Sequence, residues 1–284
     1  MIIARLQGGL GNQLFQYAAV KALATRLNVS FKIETITSLQ KDKLRHIALH
    51  DFNAPFGLAT KAEVKKFIYF PSLYRHAPAF FSAFGKNIYR EPHFHFDQRF
   101  GQLTDPVFLD GFWQSPLYFR DIGAIIRQDF SVKPELIKNV IARGQEMENL
   151  PSVAVHIRRG DFLNPKTVAY HGVLDAGYYT KAIALIREKI PGVSVHYFSD
   201  DIEWVKTNLP AGNAVFVSSF TKSAIEDFYL MTKCRHNIIA NSSFSWWTAW
   251  LNNNPGKIVI APKNWFAVSH HNTSDLIPGD WIRI

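Results

Sequence analysis

Short apolar runs alternate with amphipathic stretches along most of the chain. The first run, Ile2 to Leu6, leads into a glycine turn, after which Leu14, Ala18 and Leu23 recur at helical spacing. Another apolar run begins at Phe31. Strand, turn, helix and strand in this order form a βαβ unit, which implies parallel strands because the chain crosses over between them.

The pattern is most regular after residue 151. The predicted strands of this part are 153–157, 193–198, 214–217, 237–240 and 257–261, and the predicted helices are 176–189, 224–234 and 244–252. Polar residues follow each strand, where open parallel sheets bind ligands. We therefore predict an α/β protein in which two Rossmann-like domains, residues 1–150 and 151–284, face each other across a cleft.

The stretch from residue 36 to 105 has weak periodicity and many Phe, His and Pro residues. The elements predicted between the two regular parts are a helix over Lys61 to Phe70, irregular structure over Pro71 to Phe100, a strand over 107–112, and helices over 116–129 and 134–149. Asp110 lies near the end of that strand. A carboxylate there is a candidate general base or ligand of an acceptor hydroxyl.

Composition narrows the classes of function. The chain has 284 residues, 47% of them hydrophobic, which is enough for more than one core. A net charge of +9 favours anionic partners such as phosphates, nucleic acid or an acidic membrane face. The basic residues are scattered and form no stripe, so a nucleotide-diphosphate pocket fits better than a nucleic-acid track.

Cysteine usage and hydropathy predict the compartment. Cys234 is the single cysteine and cannot form an internal disulfide, which favours a reducing compartment. The first residues have the pattern of a strand rather than a signal peptide, and no run reaches the ~20 apolar residues that cross a bilayer. We expect a soluble, cytoplasmic protein whose basic surface can touch the anionic inner face of the membrane.

The glycine turn is the first candidate for ligand binding. Its glycines, which let a ligand approach the backbone closely, are Gly8, Gly9 and Gly11. Amides at the following helix start favour an anion, and the side chains of Asn12 and Gln13 suit a phosphate or hydroxyls. Leu14 stands where the dinucleotide fingerprint needs a glycine, so NAD is not predicted. A purely structural turn is the alternative.

The sequence His-Ile-Arg-Arg-Gly-Asp, residues 156–161, follows a predicted strand and places His156 and Arg158 on one face. Arginine is the natural bidentate clamp for a diphosphate. Where a nucleoside diphosphate leaves, its charge grows as the bond breaks, and a fixed guanidinium stabilises the transition state more than the ground state. For Arg159 a salt bridge with Asp161 is the preferred interpretation.

Two further polar groups follow strands. Ser199, Asp200 and Asp201 can cap a helix or contact a ligand; neighbouring carboxylates diverge and no third oxygen ligand is evident, so no metal site is predicted. The polar start of the segment 241–247 can hold a second phosphate edge through hydroxyls and helix-start amides. The Trp residues of this segment are interpreted as core.

Four ordered motifs resemble those of the α-1,2-fucosyltransferases of glycosyltransferase family 11. They cover residues 8–17, 156–161, 198–201 and 241–247, and the similarity runs from Ile2 to Ile282. The resemblance implies a GT-B fold, a GDP-fucose donor, inversion at the anomeric carbon and no metal or other cofactor. It also implies a galactose-terminated or lipid-linked glycan acceptor, as in O-antigen or lipopolysaccharide assembly.

The resemblance also implies roles for single residues. Arg158 would bind the β-phosphate, His156 would lie near the guanosine, Asp227 would hold the guanine edge, and Asn12 would reach the donor from the other domain. The full predicted donor-binding set is Gly9, Gly11, Asn12, Gln13, His156, Arg158, Asp161, Ser199, Asp200, Asp227, Asn241, Ser242, Ser243 and Phe244. Arg158 and Asp110 are the predicted catalytic residues.

One departure from related enzymes concerns the general base. Where the similar α-1,6-fucosyltransferases carry a glutamate base, this chain has Lys166. A base therefore cannot be carried over, and a loose, oxocarbenium-like transition state would need little help from one. Asp110 remains the candidate. Another linkage, a nucleic-acid-binding protein and a sugar-binding protein without turnover are the alternative hypotheses.

Overall fold

The computed structural model describes residues 1–39 and 46–284. These residues form two compact units. The first unit comprises Met1–Ser131 and Asn272–Leu276, and the second comprises Val132–His271 and Ile277–Ile284. The boundary predicted between residues 150 and 151 differs from this division, because the segment 132–150 belongs to the second unit and the segment 272–276 to the first. The roles assigned to the two halves stay predictions.

The first unit contains a parallel sheet. Its strands are β1 (Ile2–Arg5), β2 (Phe31–Glu34), β3 (Gly57–Leu58), β4 (Ile88–Arg90) and β5 (Val107–Asp110). Their order in the sheet is β3-β2-β1-β5-β4, so β1 lies at the centre and is buried throughout. The βαβ unit predicted at the start of the chain is confirmed, since β1 pairs in parallel with β2.

Helices connect these strands. They are α1 (Leu10–Leu27), α2 (Lys61–Lys65), α3 (Pro71–Tyr74), α4 (Pro78–Ser82) and α5 (Gly123–Asp129). Gly9 precedes α1, and Asn28 ends it in the left-handed conformation, with its N–H bonded to carbonyls of the last turn. Most residues of α1 between Gly11 and Ala24 are buried. This packing holds the glycine turn against the sheet.

The second unit has a parallel sheet of its own. Its strands are β6 (Ser152–Ile157), β7 (Ser194–Ser199), β8 (Val215–Phe216), β9 (His236–Ile238), β10 (Val259–Ala261) and β11 (Ile282–Arg283), in the order β11-β10-β9-β6-β7-β8. Its helices are α6 (Pro134–Ile137), α7 (Ile141–Asn149), α8 (Pro165–His171), α9 (Ala176–Lys189), α10 (Ile202–Asn208), α11 (Ala224–Lys233) and α12 (Ser243–Leu251). All pairings are parallel, as the Rossmann-like pattern predicts.

Two apolar cores cover the faces of this second sheet. One packs α9 against β6 and β7 through residues such as Ile183 and Val155. The other packs α11 against the opposite face through Leu230 and Ala154, and it also buries Cys234, as predicted. Burial on both faces explains why these strands have continuous apolar runs rather than alternating patterns. None of the helices in the described part of the chain is long and apolar enough to cross a membrane.

The weakly patterned middle of the chain differs from the prediction. The helix predicted over 61–70 ends at Lys65, and the stretch expected to be irregular contains α3, α4 and β4. The stretches 116–129 and 134–149 are each broken rather than continuous helices. Pro71, Pro78 and Pro134 each stand in the first turn of a short helix, where proline is tolerated but a longer helix cannot continue through it.

The core between α11 and the second sheet predicts that truncating two leucines has different effects on the free energy of unfolding. Leu230 is fully buried, so Leu230→Ala removes packing and leaves a cavity; we expect a loss of about 2–5 kcal/mol in the free energy of unfolding. Leu150 is 51% exposed, so Leu150→Ala should change it by less than about 0.5 kcal/mol. Urea unfolding of both variants measures this, and equal losses would contradict the packing described.

Candidate active site

Arg158 follows the last residue of β6 and lies between two carboxylates. Its Nη1 donates to Asp200 Oδ2 at 2.6 Å, and its Nη2 donates to Asp161 Oδ1 at 2.5 Å. The side chain is 32% exposed. Because a guanidinium has five N–H donors, the two bonds orient it and leave donors for a ligand. Arg158 is therefore fixed in direction and accessible.

The approach of Asp200 to Arg158 requires a glycine between them. A Cβ atom on Gly160 would lie 2.6 Å from Asp200 Oδ2, which is closer than non-bonded atoms tolerate. Asp200 also accepts a hydrogen bond of 2.8 Å from the backbone N–H of Arg159. One carboxylate at the end of β7 thus holds both the side chain of Arg158 and the backbone of the arginine turn.

The salt bridge predicted between Arg159 and Asp161 is wrong. Arg159 Nε instead donates to Asp201 Oδ2 at 3.0 Å, and its guanidinium lies 4.0 Å from the ring centroid of Trp204. Successive side chains leave this turn on different sides, so Asp161 pairs with Arg158 and Arg159 packs against α10. Asp201 also caps α10 by accepting a hydrogen bond from the Trp204 N–H. Asp200 therefore holds Arg158, whereas Asp201 holds Arg159 and the helix start.

His156 lies within β6, buried beneath the arginine turn. Its ring is 5.4 Å from that of Phe244 between centroids, and its Nδ1 has no hydrogen-bond partner among the described residues. Burial first, and then the positive charge of Arg158, lower the pKa of His156 to about 3. The imidazole is therefore uncharged at neutral pH. It can exchange a hydrogen bond with a ligand but cannot supply a positive charge.

Asp227 and Ser199 belong to one hydrogen-bond network. Asp227 lies in the first turn of α11, and its two oxygens accept hydrogen bonds of 2.6 Å from Ser218 Oγ and Thr221 Oγ1. Ser218 Oγ accepts in turn from the backbone N–H of Ser199. Burial raises the pKa of Asp227. Ser218 and Thr221 are not in the predicted donor-binding set, although both follow β8 as other site residues follow their strands.

The start of α12 lies just beyond β9. Ser242 is extended and precedes the helix without capping it through its side chain. Asn241 is buried, and its Nδ2 donates to the carbonyl oxygens of His171 at 2.8 Å and Trp265 at 3.3 Å. The side chain of Asn241 thus fixes the loops around this helix start. Backbone amides that no side chain caps are suited to a phosphate.

Trp246 and Trp247 are buried, which confirms their interpretation as core.

The glycine turn of the first unit is open on one side. Gly8 has φ 79°, and a Cβ on Gly9 would meet nothing within 4 Å, so a ligand can approach the backbone there. Gln13 is buried, and its Nε2 donates to the carbonyl oxygens of Gly8 and His46 while its Oε1 accepts from Ala48 N–H. Gln13 therefore braces the turn, and its predicted contact with the donor stays a prediction. Gly11 is buried in the first turn of α1.

Asn12 and Asp110 lie at the same edge of the first sheet. Asn12 Oδ1 accepts a hydrogen bond of 2.7 Å from Gln114 Nε2. Asp110 is buried; its Oδ1 accepts from Arg5 at 3.1 Å, and its Oδ2 accepts from Tyr74 at 2.8 Å and from Arg90 at 3.3 Å. Both oxygens of Asp110 are thus engaged with charged or phenolic donors. Its role as general base stays a prediction that these contacts do not favour.

Sequence reasoning also missed Glu91, which directly follows β4. Its carboxylate accepts hydrogen bonds from the backbone N–H groups of Phe112 and Trp113. Its position directly after a strand could have identified it, but β4 was not predicted because its hydrophobic pattern is weak. In the described ranges, no group of three or more His, Cys, Asp or Glu side chains is arranged to hold a metal ion.

Similarity to known proteins shows that the chain is a glycosyltransferase of GT-B fold. The model of glycosyl transferase family 11 matches residues 1–284, so the chain belongs to that family, as the motifs indicate. A solved structure of a variant of Arabidopsis thaliana FUT1 in complex with GDP has a TM-score of 0.57 at 11% identity. The match covers 93% of this chain and 71% of that one, and it supports the fold.

Three curated relatives are similar along most of the chain. An O-antigen biosynthesis glycosyltransferase, WbnK of Escherichia coli, is 35% identical and matches over 98% of this chain and 99% of its own. An α-1,2-colitosyltransferase of Escherichia coli is 32% identical over 100% of this chain and 99% of its own. Galactoside α-(1,2)-fucosyltransferase 1 of Sus scrofa is 28% identical over 86% and 63%.

The close approach at Gly160 predicts a loss of transfer without unfolding. Gly160→Ala must displace Asp200 and with it the guanidinium of Arg158; we expect kcat for sugar transfer to fall on the order of 10²-fold, with little change in Tm. Gly279→Ala, where a Cβ meets nothing, is the matched control. A Gly160→Ala enzyme as fast as the control would show that Asp200 does not need this position.

Proposed function

We propose that the chain transfers L-fucose from GDP-β-L-fucose to the 2-hydroxyl of a terminal galactoside, with inversion to the α-linkage. The observation that carries the proposal is the clamp of Arg158 between Asp161 and Asp200 beyond a buried parallel strand. The α-(1,2)-fucosyltransferase and α-1,2-colitosyltransferase relatives support the linkage. The O-antigen relative supports a glycan of a bacterial surface polysaccharide as the acceptor.

The site explains how this reaction is assisted. The acceptor oxygen forms a bond to the anomeric carbon of fucose while the bond from that carbon to the β-phosphate oxygen breaks, and its electron pair leaves with GDP. The β-phosphate gains negative charge as this happens. A guanidinium that is already oriented needs little reorganisation to receive the charge. The start of α12, which Ser242 does not cap through its side chain, can direct backbone N–H groups at the same diphosphate.

The other residues assigned to the donor either contact the nucleoside or hold a contacting residue in position. We assign Asp227 to the guanine edge, since a carboxylate accepts hydrogen bonds from the ring and exocyclic N–H groups of guanine. Ser218 and Thr221 hold its two oxygens in position. The rings of His156 and Phe244 lie 5.4 Å apart between centroids and are tilted by 32°, and we assign this pair to the side of the nucleoside. No metal is assigned to the reaction, because the arginine and the helix-start amides supply the electrostatic stabilisation of the leaving group.

The donor sugar separates this proposal from its nearest alternative. Colitose lacks the 3-hydroxyl that fucose carries, and one relative is a colitosyltransferase. A site that hydrogen-bonds a sugar hydroxyl rejects a donor lacking that hydroxyl strongly. Wild-type protein offered GDP-fucose and GDP-colitose with galactose-terminated acceptors should use GDP-fucose with the higher kcat/KM. Exclusive use of GDP-colitose would assign the chain to the other reaction.

The role of Arg158 predicts a graded loss of rate. Arg158→Lys keeps the charge but loses the bidentate geometry, and Arg158→Ala loses both. We expect kcat to fall by on the order of 10²–10³-fold in the alanine variant and by less in the lysine variant. Arg143→Lys, at an exposed pair with Glu146, is the control and should keep the wild-type rate.

This series is measured as fucose transfer to lactose, with release of GDP as the readout. Thermal unfolding checks that each variant folds. A folded Arg158→Ala enzyme with wild-type kcat would remove Arg158 from the mechanism. A wild-type protein that binds GDP-fucose without releasing GDP would support a sugar-binding protein instead of an enzyme.

We also propose that an exposed aromatic surface of the first unit docks on an anionic membrane. Five large apolar side chains in and around α3 and α4 have exposed fractions from 47% to 61%: Tyr69, Phe70, Leu73, Phe80 and Phe84. Ring contacts through Phe81 join three of them into one patch, with Phe80 and Phe84 5.2 Å apart between centroids. Exposed apolar patches of this kind mark interaction sites.

The charge around the aromatic surface favours lipid as its occupant. The exposed lysines of this segment are Lys61, Lys65, Lys66 and Lys86. The acidic residue among them, Glu63, is neutralised by Lys32, whose Nζ lies 2.7 Å from Glu63 Oε1, and that pair lowers the pKa of Glu63 to about 2. Lysine beside exposed Phe and Tyr is the composition of surfaces that lie in the interface of anionic bilayers.

Vesicle sedimentation tests the aromatic surface. Phe80→Ser with Phe84→Ser should reduce binding to phosphatidylcholine–phosphatidylglycerol vesicles at least about tenfold, because both rings leave the interface. Leu136→Ser with Leu150→Ser changes two exposed residues of the second unit and should bind like wild type. Wild-type binding by the Phe variant would contradict the proposal. So would a dimer, seen by analytical ultracentrifugation, that the same variant abolishes.

A further inference from the structure

Glu91 lies at the edge of the first sheet where parallel sheets bind ligands. It directly follows β4, and its backbone N–H donates to the carbonyl oxygen of Asp110, the last residue of β5. The chain after β5 passes over it as the loop 111–114, and Gln114 continues the contact to Asn12 beside the glycine turn. Glu91 therefore belongs to the same edge as the open backbone at Gly9.

The loop is built around the carboxylate of Glu91. Its Oε2 accepts from Phe112 N–H at 2.7 Å, and its Oε1 accepts from Trp113 N–H at 3.0 Å. Trp113 has φ 56°, a conformation that a bulky residue adopts only when its surroundings enforce it. Gly111 is needed for the fit, because a Cβ there would lie 2.5 Å from the Cβ of Glu91.

The geometry leaves acceptor capacity on the carboxylate. Each oxygen of Glu91 accepts one backbone hydrogen bond, and a carboxylate oxygen has about two acceptor positions. The side chain is partly accessible. Two buried polar atoms near this loop, Trp113 Nε1 and Asp275 Oδ1, have no hydrogen-bond partner among the described residues.

Burial and the nearby like charges together give Glu91 a carboxyl that exchanges a proton near neutral pH. Burial is the largest cause, and the like charges of Asp110 and Asp275 add to it, so that the pKa of Glu91 rises to about 7 despite the two backbone hydrogen bonds. The phenol of Tyr118 also interacts electrostatically with Glu91. Arg5 and Arg90 are the nearby cations, and both are bonded to Asp110.

We infer that Glu91 accepts the proton of the acceptor hydroxyl during sugar transfer. The inference rests on the proposed function. The hydroxyl oxygen forms the bond to the anomeric carbon, the bond from that carbon to the β-phosphate oxygen breaks with its electrons going to GDP, and the hydroxyl proton moves to the free acceptor position of Glu91. Water removes this proton after the product leaves. Asp110 is unsuited to the step, since both of its oxygens are bonded to cations or a phenol.

The pH dependence of Glu91→Gln separates a base from a structural brace. In the wild type, kcat should fall as the pH drops through about 7, because protonated Glu91 cannot accept a proton. In Glu91→Gln, kcat should be lower by about 10²–10⁴-fold and should lose this acid limb. The KM for the acceptor should change much less than kcat, and GDP binding, measured by calorimetry, should stay at the wild-type value.

Two further variants keep the test decisive. Asp121→Asn, an acid-to-amide change at an exposed side chain elsewhere in the first unit, should retain the wild-type rate and pH profile. Glu91→Asp retains a carboxylate one methylene further away; it should lose rate but keep an acid limb, and it serves if the glutamine variant fails to fold. Full activity in Glu91→Asp, or a wild-type rate and pH profile in Glu91→Gln, would overturn the assignment.

The same assays separate this inference from the proposed function. A wild-type protein that transfers no fucose to any galactoside would overturn the proposed function and the role of Glu91 together. A wild type that transfers fucose normally, beside a Glu91→Gln variant with unaltered kcat and pH profile, would overturn the role of Glu91 alone.

Discussion

One arginine held between two carboxylates is the interaction on which the donor half of the site depends. An unpaired guanidinium would sample many rotamers, whereas Asp161 and Asp200 fix Arg158 and still leave it partly exposed. Its value for the reaction lies in this fixed direction, because a charge that must first reorganise stabilises a transition state less. Gly160 makes the arrangement possible by leaving room for Asp200. A short sequence motif is thus explained by the space that one carboxylate needs.

In the first unit, ion pairs involve Asp110, and a neighbouring carboxylate has a raised pKa. Arg5 and Arg90 form ion pairs with Asp110 at the end of β5, and Glu91, just after the neighbouring strand β4, has no ion pair with a cation among the described residues. Burial first, and then the like charges of Asp110 and Asp275, raise the pKa of Glu91, whereas burial first, and then the charge of Arg158, lowers that of His156 in the second unit. The donor half is therefore organised to stabilise negative charge, and the first unit is organised to hold a carboxyl that takes up a proton readily.

The sequence predicted the second unit better than the first for a physical reason. Strands buried on both faces leave continuous apolar runs, so β6, β7, β9 and β10 were found from pattern alone. In the first unit, β4 is short, half-buried and flanked by aromatic residues, and its period is not visible. Glu91 was missed with it. The partner of Arg159 was predicted wrongly, because neighbours in sequence need not face each other across a turn.

The central claim is that Arg158 binds the phosphate from which the sugar departs. A crystal structure of the protein with GDP tests it most directly. We expect a β-phosphate oxygen within hydrogen-bond distance of the Arg158 guanidinium, with Asp161 and Asp200 still in contact with it and with the first amides of α12 turned to the same diphosphate. A nucleotide whose diphosphate lies away from Arg158, with that side chain bonded to its two carboxylates alone, would show that Arg158 does not bind the leaving phosphate.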